Sequence, residues 1–259
     1  MTSLDMHGFS VSLLPLSAET EAHLRAPVAP HAWAPLVDVV PVSVVAMPDG
    51  LTPLRPKPSA DAVTGAFLAR CCDVLISVED QLNALDAQSG DGDTGSTLAG
   101  AARALKAAIP DLPLADLTQL YRAIGNELSQ TMGGSSGVLL AIYFSAVGDA
   151  AASGHGMTRA FEAGLARVME VGGATPGDRT MIDALAPALA ALGDGVAAAA
   201  KAARAGADAT ATMGKAGAGR ASYISAERLI GHNDPGAEAV ARLFEHLAEN
   251  PAETREQAG

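Results

Sequence analysis

The sequence has 259 residues, 49% of them apolar but only 3% aromatic. Any core must therefore be built from Ala, Leu, Val and Ile, a composition that favours packed helices over a β-sandwich. A net charge of −12 with no basic patch argues against nucleic-acid binding. A polyphosphate ligand would need metal ions or a few placed arginines to neutralise it. The cysteines, Cys71 and Cys72, are adjacent, which gives neither a disulfide framework nor a zinc site. No basic-then-apolar leader opens the chain. The most apolar stretch, 138–147, is far short of the roughly 20 residues of a membrane span. The reading is a soluble, cytoplasmic, all-α protein.

Residues 1–46 differ in pattern from the rest. Phe9-Ser10-Val11-Ser12-Leu13 alternates with period two and predicts a short strand. The Val-rich stretch 36–47, broken by Pro41, predicts an edge strand or extended connector. Pro48-Asp49-Gly50, Pro53, Pro56 and Pro58 mark a linker over 47–60. From Ala60 the period becomes helical. Val63, Phe67, Cys71, Val74, Leu75, Val78 and Leu82 form one apolar face over 61–87. Further helices are predicted near 95–108, 114–131, 137–152, 157–171, 179–192, 196–213 and 236–248. That makes about eight helices in a bundle or barrel. In the Ala-rich run 184–209, Lys201, Arg204 and Asp208 suit an exposed face.

The sharpest local feature is Asp86-Ala-Gln-Ser-Gly-Asp91-Gly-Asp93, followed by Thr94-Gly95-Ser96-Thr97. Like charges this close repel, and a bound divalent cation removes that cost. Hard oxygen ligands on a flexible loop suit Mg²⁺ or Ca²⁺ rather than zinc. An EF-hand needs Glu at loop position 12, where this chain has Ala102 or Gly100, depending on where the loop starts. The alternative to a metal site is a solvated Asp-Gly turn.

Four loops open helices with small or hydroxyl residues: 94–97, Met132 to Gly137, Thr175 to Thr180, and Asn233 to Gly236. Helix N-termini suit phosphate, although each loop taken alone is an ordinary N-cap. Walker A and Rossmann fingerprints are absent. Arg179 and Arg220 are candidates for phosphate contact, set against the plainer reading of surface ion pairs. His232 is a candidate base or ligand, set against the plainer reading of a loop residue with a structural hydrogen bond.

Leu85 to Thr97, Gly133-Gly134-Ser135-Ser136-Gly137, Pro176 to Met181, Gly219-Arg220-Ala221-Ser222-Tyr223 and Gly231 to Gly236 together resemble the L (nucleotide) domain of dihydroxyacetone kinases, over roughly 60–249. The resemblance implies an eight-helix antiparallel barrel with ATP or ADP at one end. Asp86, Asp91 and Asp93 would hold two Mg²⁺ ions. Thr94, Gly95, Ser96, Thr97, Ser135, Ser136, Gly172, Met181, Arg220, Asp234, Pro235 and Gly236 would line the nucleotide. Asp178 and Arg179 lie inside a matched motif.

Thr2 to Ser10 is similar to the last strand of the K (substrate) domain of single-chain, ATP-dependent members, and Trp33 marks the linker's start. The resemblance thus implies a K-domain remnant over 1–46, the linker over 47–60, the L domain over 61–250 and a tail over 251–259. The rest of the K domain, including the histidine that binds the ketone covalently in that family, does not lie in this sequence. The implied reaction is phosphoryl transfer from ATP to dihydroxyacetone (glycerone) or a similar small ketose. Rivals are an ADP-holding L subunit served by a phosphocarrier protein, an FAD-cleaving lyase that forms cyclic FMN, and an inactive nucleotide-binding fragment. The fused K-type tail and Thr94 favour the ATP-dependent type. The sequence leaves the oligomeric state open, a homodimer included.

Overall fold

The computed structural model describes residues 15–27 and 56–249. The chain divides into two units, Met1–Pro53 and Leu54–Gly259. In the first, the described residues contain one helix, α1 (Ala18–Arg25), where no helix is predicted. Ser17 caps it by accepting from the Thr20 amide at 3.1 Å. The strands expected near 9–13 and 36–47 lie outside the described residues.

The described part of the second unit is built on helices: α2 (Ala62–Ser77), α3 (Glu79–Ser89), α4 (Thr94–Ala108), α5 (Leu117–Thr131), α6 (Gly134–Ala152), α7 (Met157–Gly172), α8 (Ile182–Ala191), α9 (Val196–Thr210), the single-turn α10 (Ala226–Leu229) and α11 (Pro235–Glu249). The helix expected over 61–87 is in fact two. The Ser77 hydroxyl donates back to the Val74 carbonyl at 2.8 Å, and Val78 departs from helical geometry. Glu79 and Asp80 then open α3, where acidic side chains suit the helix N-terminus. The count of about eight becomes nine longer helices among the described residues.

Consecutive helices pack side by side: α4 on α5, α5 on α6, α6 on α7, α7 on α8, α8 on α9 and α9 on α11. α11 also packs on α8 and returns to α2 and α3. Short connections between packed neighbours make them antiparallel, so every second connection falls at the same end. The 90–93, 132–133, 173–181 and 211–234 connections thus share one end. The other end carries the 109–116 connection, where Ser59 pairs with Leu112 and Leu114 through backbone hydrogen bonds of 3.2 and 2.9 Å.

With so few aromatics, close approach depends on small residues. Ala184, Ala188, Ala203, Ala207, Ala237 and Ala241 form an all-alanine core between α8, α9 and α11. Tyr121, Tyr143, Phe144 and Phe161 supply the aromatic contacts between α5, α6 and α7. By length and composition α6, of 19 residues, could cross a membrane, with a mean hydropathy of 1.4 over an 18-residue window. It lies here between α5 and α7, with Ala141, Tyr143 and Val147 buried.

Arg204 departs from the exposed face expected for it. It forms ion pairs with Glu238 (2.6 Å) and Glu245 (2.6 Å) of α11 as well as with Asp208 (3.3 Å). Burial works to raise the Glu238 carboxyl, but hydrogen bonds from Arg204 and Asn233 outweigh it and hold the group below its ordinary value. Lys201 and Asp208 are exposed, as expected.

Candidate functional site

The acidic loop connects α3 to α4. Asp86, in the last turn of α3, is 7% exposed, and one of its carboxylate oxygens accepts from the amides of Gly92 (3.0 Å), Asp93 (2.9 Å) and Thr94 (3.1 Å). A single oxygen thus gathers the free N–H groups where α4 begins. Asn83 adds a second clasp: its side chain accepts from the Ser96 amide at 3.0 Å and donates to the Ser96 hydroxyl at 2.9 Å. Gly95 is obligatory there, because a Cβ would run into the Glu79 carbonyl and the Asn83 side chain. Folded this way, the loop brings carboxylate oxygens of Asp86, Asp91 and Asp93 within 4.8 Å of one another, the first buried and the other two exposed. An all-carboxylate donor set with two members open to solvent fits a hard, partly hydrated cation such as Mg²⁺.

Two arginines approach this loop from the 211–234 connection. Arg220 forms an ion pair with Asp91, and Arg228 donates to the Ala87 carbonyl at 3.3 Å. Arg220 is therefore brought to the acidic cluster.

The 175–183 turn is tied internally. The Asp178 carboxylate accepts from the Thr175 amide (2.7 Å) and hydroxyl (2.9 Å), and these bonds hold it below the usual carboxylate range. Its backbone carbonyl accepts from Gly217 at 2.9 Å, and its side chain packs where a Gly217 Cβ would stand. Asp183, which the sequence reading passed over, is 7% exposed and accepts from Gly177 (2.5 Å) and Thr180 (2.7 Å). Thr180-Met181-Ile182-Asp183 has the spacing of a capping box, a legible signal. The helix accordingly starts at Ile182 instead of near 179.

Arg179 is not a surface residue. It is 1% exposed, and it is the one positive-φ non-glycine among the described residues, at φ 59°. It donates to the His232 carbonyl at 2.8 Å, so His232 enters the site through its backbone. Asp234 caps α11, accepting from Ala237 at 2.9 Å, and its own amide donates to the Thr210 hydroxyl at 2.8 Å. Burial pushes the Asp234 carboxyl up to about 6, with the nearby Arg179 charge opposing and Asp183 adding.

Met181 and Gly236 meet: a Cβ on Gly236 would stand 3.2 Å from the Met181 Cβ. Gly172, ending α7, packs on Leu139 of α6, one turn beyond Ser135 and Ser136. Leu139, Met169, Met181 and Ala218 flank one hydrophobic cluster. The end of the helices therefore offers an acidic loop on one side and an apolar corner on the other, linked by the 214–223 segment.

A family model described as the DAK2 domain matches residues 88–249. The chain belongs to the DAK2 domain family. It is 42% identical over 255 residues to a dihydroxyacetone kinase of Citrobacter freundii, covering 96% of this chain and 46% of that protein. It is 35% identical over 277 residues to the triokinase/FMN cyclase of Homo sapiens, covering 96% and 47% respectively. The crystal structure of the C. freundii kinase in complex with AMP-PNP and Mg²⁺ superposes with a TM-score of 0.67 at 38% identity, over 90% of this chain and 42% of that one. The chain thus spans about half the length of the curated relatives it matches. Its helical unit is an all-α DAK2 domain, as expected from the motifs.

Proposed function

We propose that this DAK2 domain supplies the Mg·ATP site for phosphoryl transfer to dihydroxyacetone or a similar small ketose, the ketose being held by a K-type substrate domain. The observation that carries this is the convergence of Asp86, Asp91 and Asp93 at one end of the helices, beside Arg220. The similarity to the C. freundii kinase, whose crystal structure is a complex with AMP-PNP and Mg²⁺, supports it.

Asp86, Asp91 and Asp93 would hold the cations, two in our reading. Bound there, Mg²⁺ would neutralise phosphate charge, the main requirement of phosphoryl transfer. Asp86 and Asn83 hold the start of α4 by its amides, so that the hydroxyls of Thr94, Ser96 and Thr97, with the Gly95 backbone, face the phosphates. Arg220 exchanges Asp91 for phosphate oxygens, to which its planar fork is suited. Ser135 and Ser136, in the first turn of α6, offer further hydroxyls. The apolar corner of Gly172, Met181 and Asp234 to Gly236 suits a nucleobase. Asp178 and Arg179 act on neighbouring turns and do not touch the nucleotide. We read 1–46 as the C-terminal part of a K-type domain, 47–60 as the linker, and the setting as cytoplasmic.

The test is calorimetric titration of ATP with Mg²⁺ into the wild type and Asp91→Ala. Asp91 is exposed and caps no helix, so its replacement leaves the fold intact. Micromolar binding that weakens roughly 100-fold or more in the variant, about 3 kcal/mol, is expected. A folded wild type that binds no ATP defeats the reading. A second reading, FAD cleavage to a cyclic FMN at the same site, draws on the human relative's name. Incubation with FAD and Mn²⁺, followed by product chromatography, decides it.

A further inference from the structure

Arg179 is the largest fully buried side chain among the described residues. A guanidinium in the interior needs acceptors for five N–H groups. Here Nη2 reaches the His232 carbonyl at 2.8 Å and, more distantly, the Leu229 carbonyl at 3.5 Å, while Nε and Nη1 have no hydrogen-bond partner. Burial accordingly pulls the group below its ordinary value, and the charge on Asp234 opposes this. The backbone adds to the cost, since φ 59° is a region that side chains other than glycine and asparagine rarely occupy. An apolar residue would fill the same space without the cost of the buried charge. Such costs persist where the surrounding structure uses them.

What Arg179 joins is specific. On its N-terminal side, Asp178 holds Gly217 and hence the segment leading to Arg220. On its C-terminal side, Thr180 and Asp183 close the turn that places Met181. Across the gap, the carbonyls it holds belong to 229–232, the residues that run into the Asp234 cap and Gly236. Met181 and Gly236 are already in van der Waals contact range. A change in the grip on 229–232 therefore alters the separation of these two residues; it reaches the acidic loop only through the long Arg228 bond to the Ala87 carbonyl, while the amides of 92–94 keep their own acceptor on Asp86.

We propose that Arg179 is a positioning residue that locks the 229–236 turn against the 177–183 turn and so sets the width of the apolar corner for a nucleobase. It acts on the base end of the ligand and not on the phosphate end. The proposal rests on the Mg·ATP reading for its ligand, though not for the lock itself.

Two measurements on Arg179→Lys, with Arg179→Met as the stronger perturbation, test it. The first is hydrogen exchange on the ligand-free protein. Amides of 229–236 exchange at least tenfold faster in the lysine variant, while those of 86–97 keep the wild-type rate. Unchanged exchange at 229–236 overturns the lock without reference to any ligand. The second is calorimetry with Mg·ATP and Mg·tripolyphosphate. The ratio of the two affinities falls at least tenfold in the variant, because only ATP uses the base corner. Equal loss for both ligands, the mark of a merely structural role, overturns the assignment, as does an unchanged ratio. A wild type that binds neither ligand refutes the Mg·ATP reading, and exchange alone then decides the lock. If the methionine variant fails to fold, the lysine variant carries both measurements.

Discussion

The acidic loop and the Arg179 corner stand at the same end of the helices and handle charge in opposite ways. Around Asp86 one carboxylate oxygen satisfies three amides drawn from the next eight residues, and its two partner carboxylates stay open to water. Around Arg179 a single charge is withdrawn from water, meets carbonyls about 50 residues away in the chain, and is left partly unsatisfied. The first arrangement is local and ready to receive a cation. The second is assembled only when α8 and α11 dock, and it spends stability on holding two turns together. Binding chemistry and the geometry that sizes it are thus carried by different kinds of structure.

Removing the anchor on the local side breaks the comparison most directly. Asp86→Ala leaves three amides at the start of α4 without their acceptor, and urea unfolding in the absence of metal should show a loss of about 2–3 kcal/mol. A loss below about 0.5 kcal/mol would mean that water replaces the carboxylate freely and that the loop is not anchored as described.

The buried corner is sharpened by pH. The folded Asp234 carboxyl is raised to about 6 from an ordinary 3.8, so the folded state holds its proton more tightly than the unfolded chain does. Its stability contribution is full below about 4 and is lost as pH rises through about 6, a fall of at most about 3 kcal/mol. Asp234→Asn keeps the oxygen that caps Ala237 and should flatten that stretch of the stability–pH curve. A curve of unchanged slope would assign the titration elsewhere.

The smallest effect serves as the baseline. Arg167 pairs with Glu170 at 2.6 Å, but both side chains are more than half exposed. Arg167→Ala should change stability by less than about 0.5 kcal/mol in the same assay. A larger change would mean that exposed pairs contribute here as much as buried ones, and the contrast between the two regions would lose its meaning.

Much of the acidic loop was legible because its chemistry is sequential. Asp86, Asp91, Asp93 and the helix opening at Thr94 lie within one turn and its flanks, so spacing alone places the carboxylates together. Helix existence was legible for the same reason, since apolar periodicity records which face is buried. The break at Val78 was not, because Val74, Val78 and Leu82 keep an unbroken helical period across it. Arg204 on its Ala-rich helix looks solvated until Glu238 and Glu245 arrive from α11.

Composition, periodicity and motif order by themselves determined an all-α unit with an acidic, hydroxyl-rich end, because these properties follow from residues close together in the chain. Only tertiary structure decided that Arg179 is buried, that the His232 carbonyl belongs to the site, and that Met181 meets Gly236. Those facts depend on contacts between residues about 50 apart in sequence. Burial, and with it the cost of a charge, is a property of what packs around a side chain and not of the side chain itself.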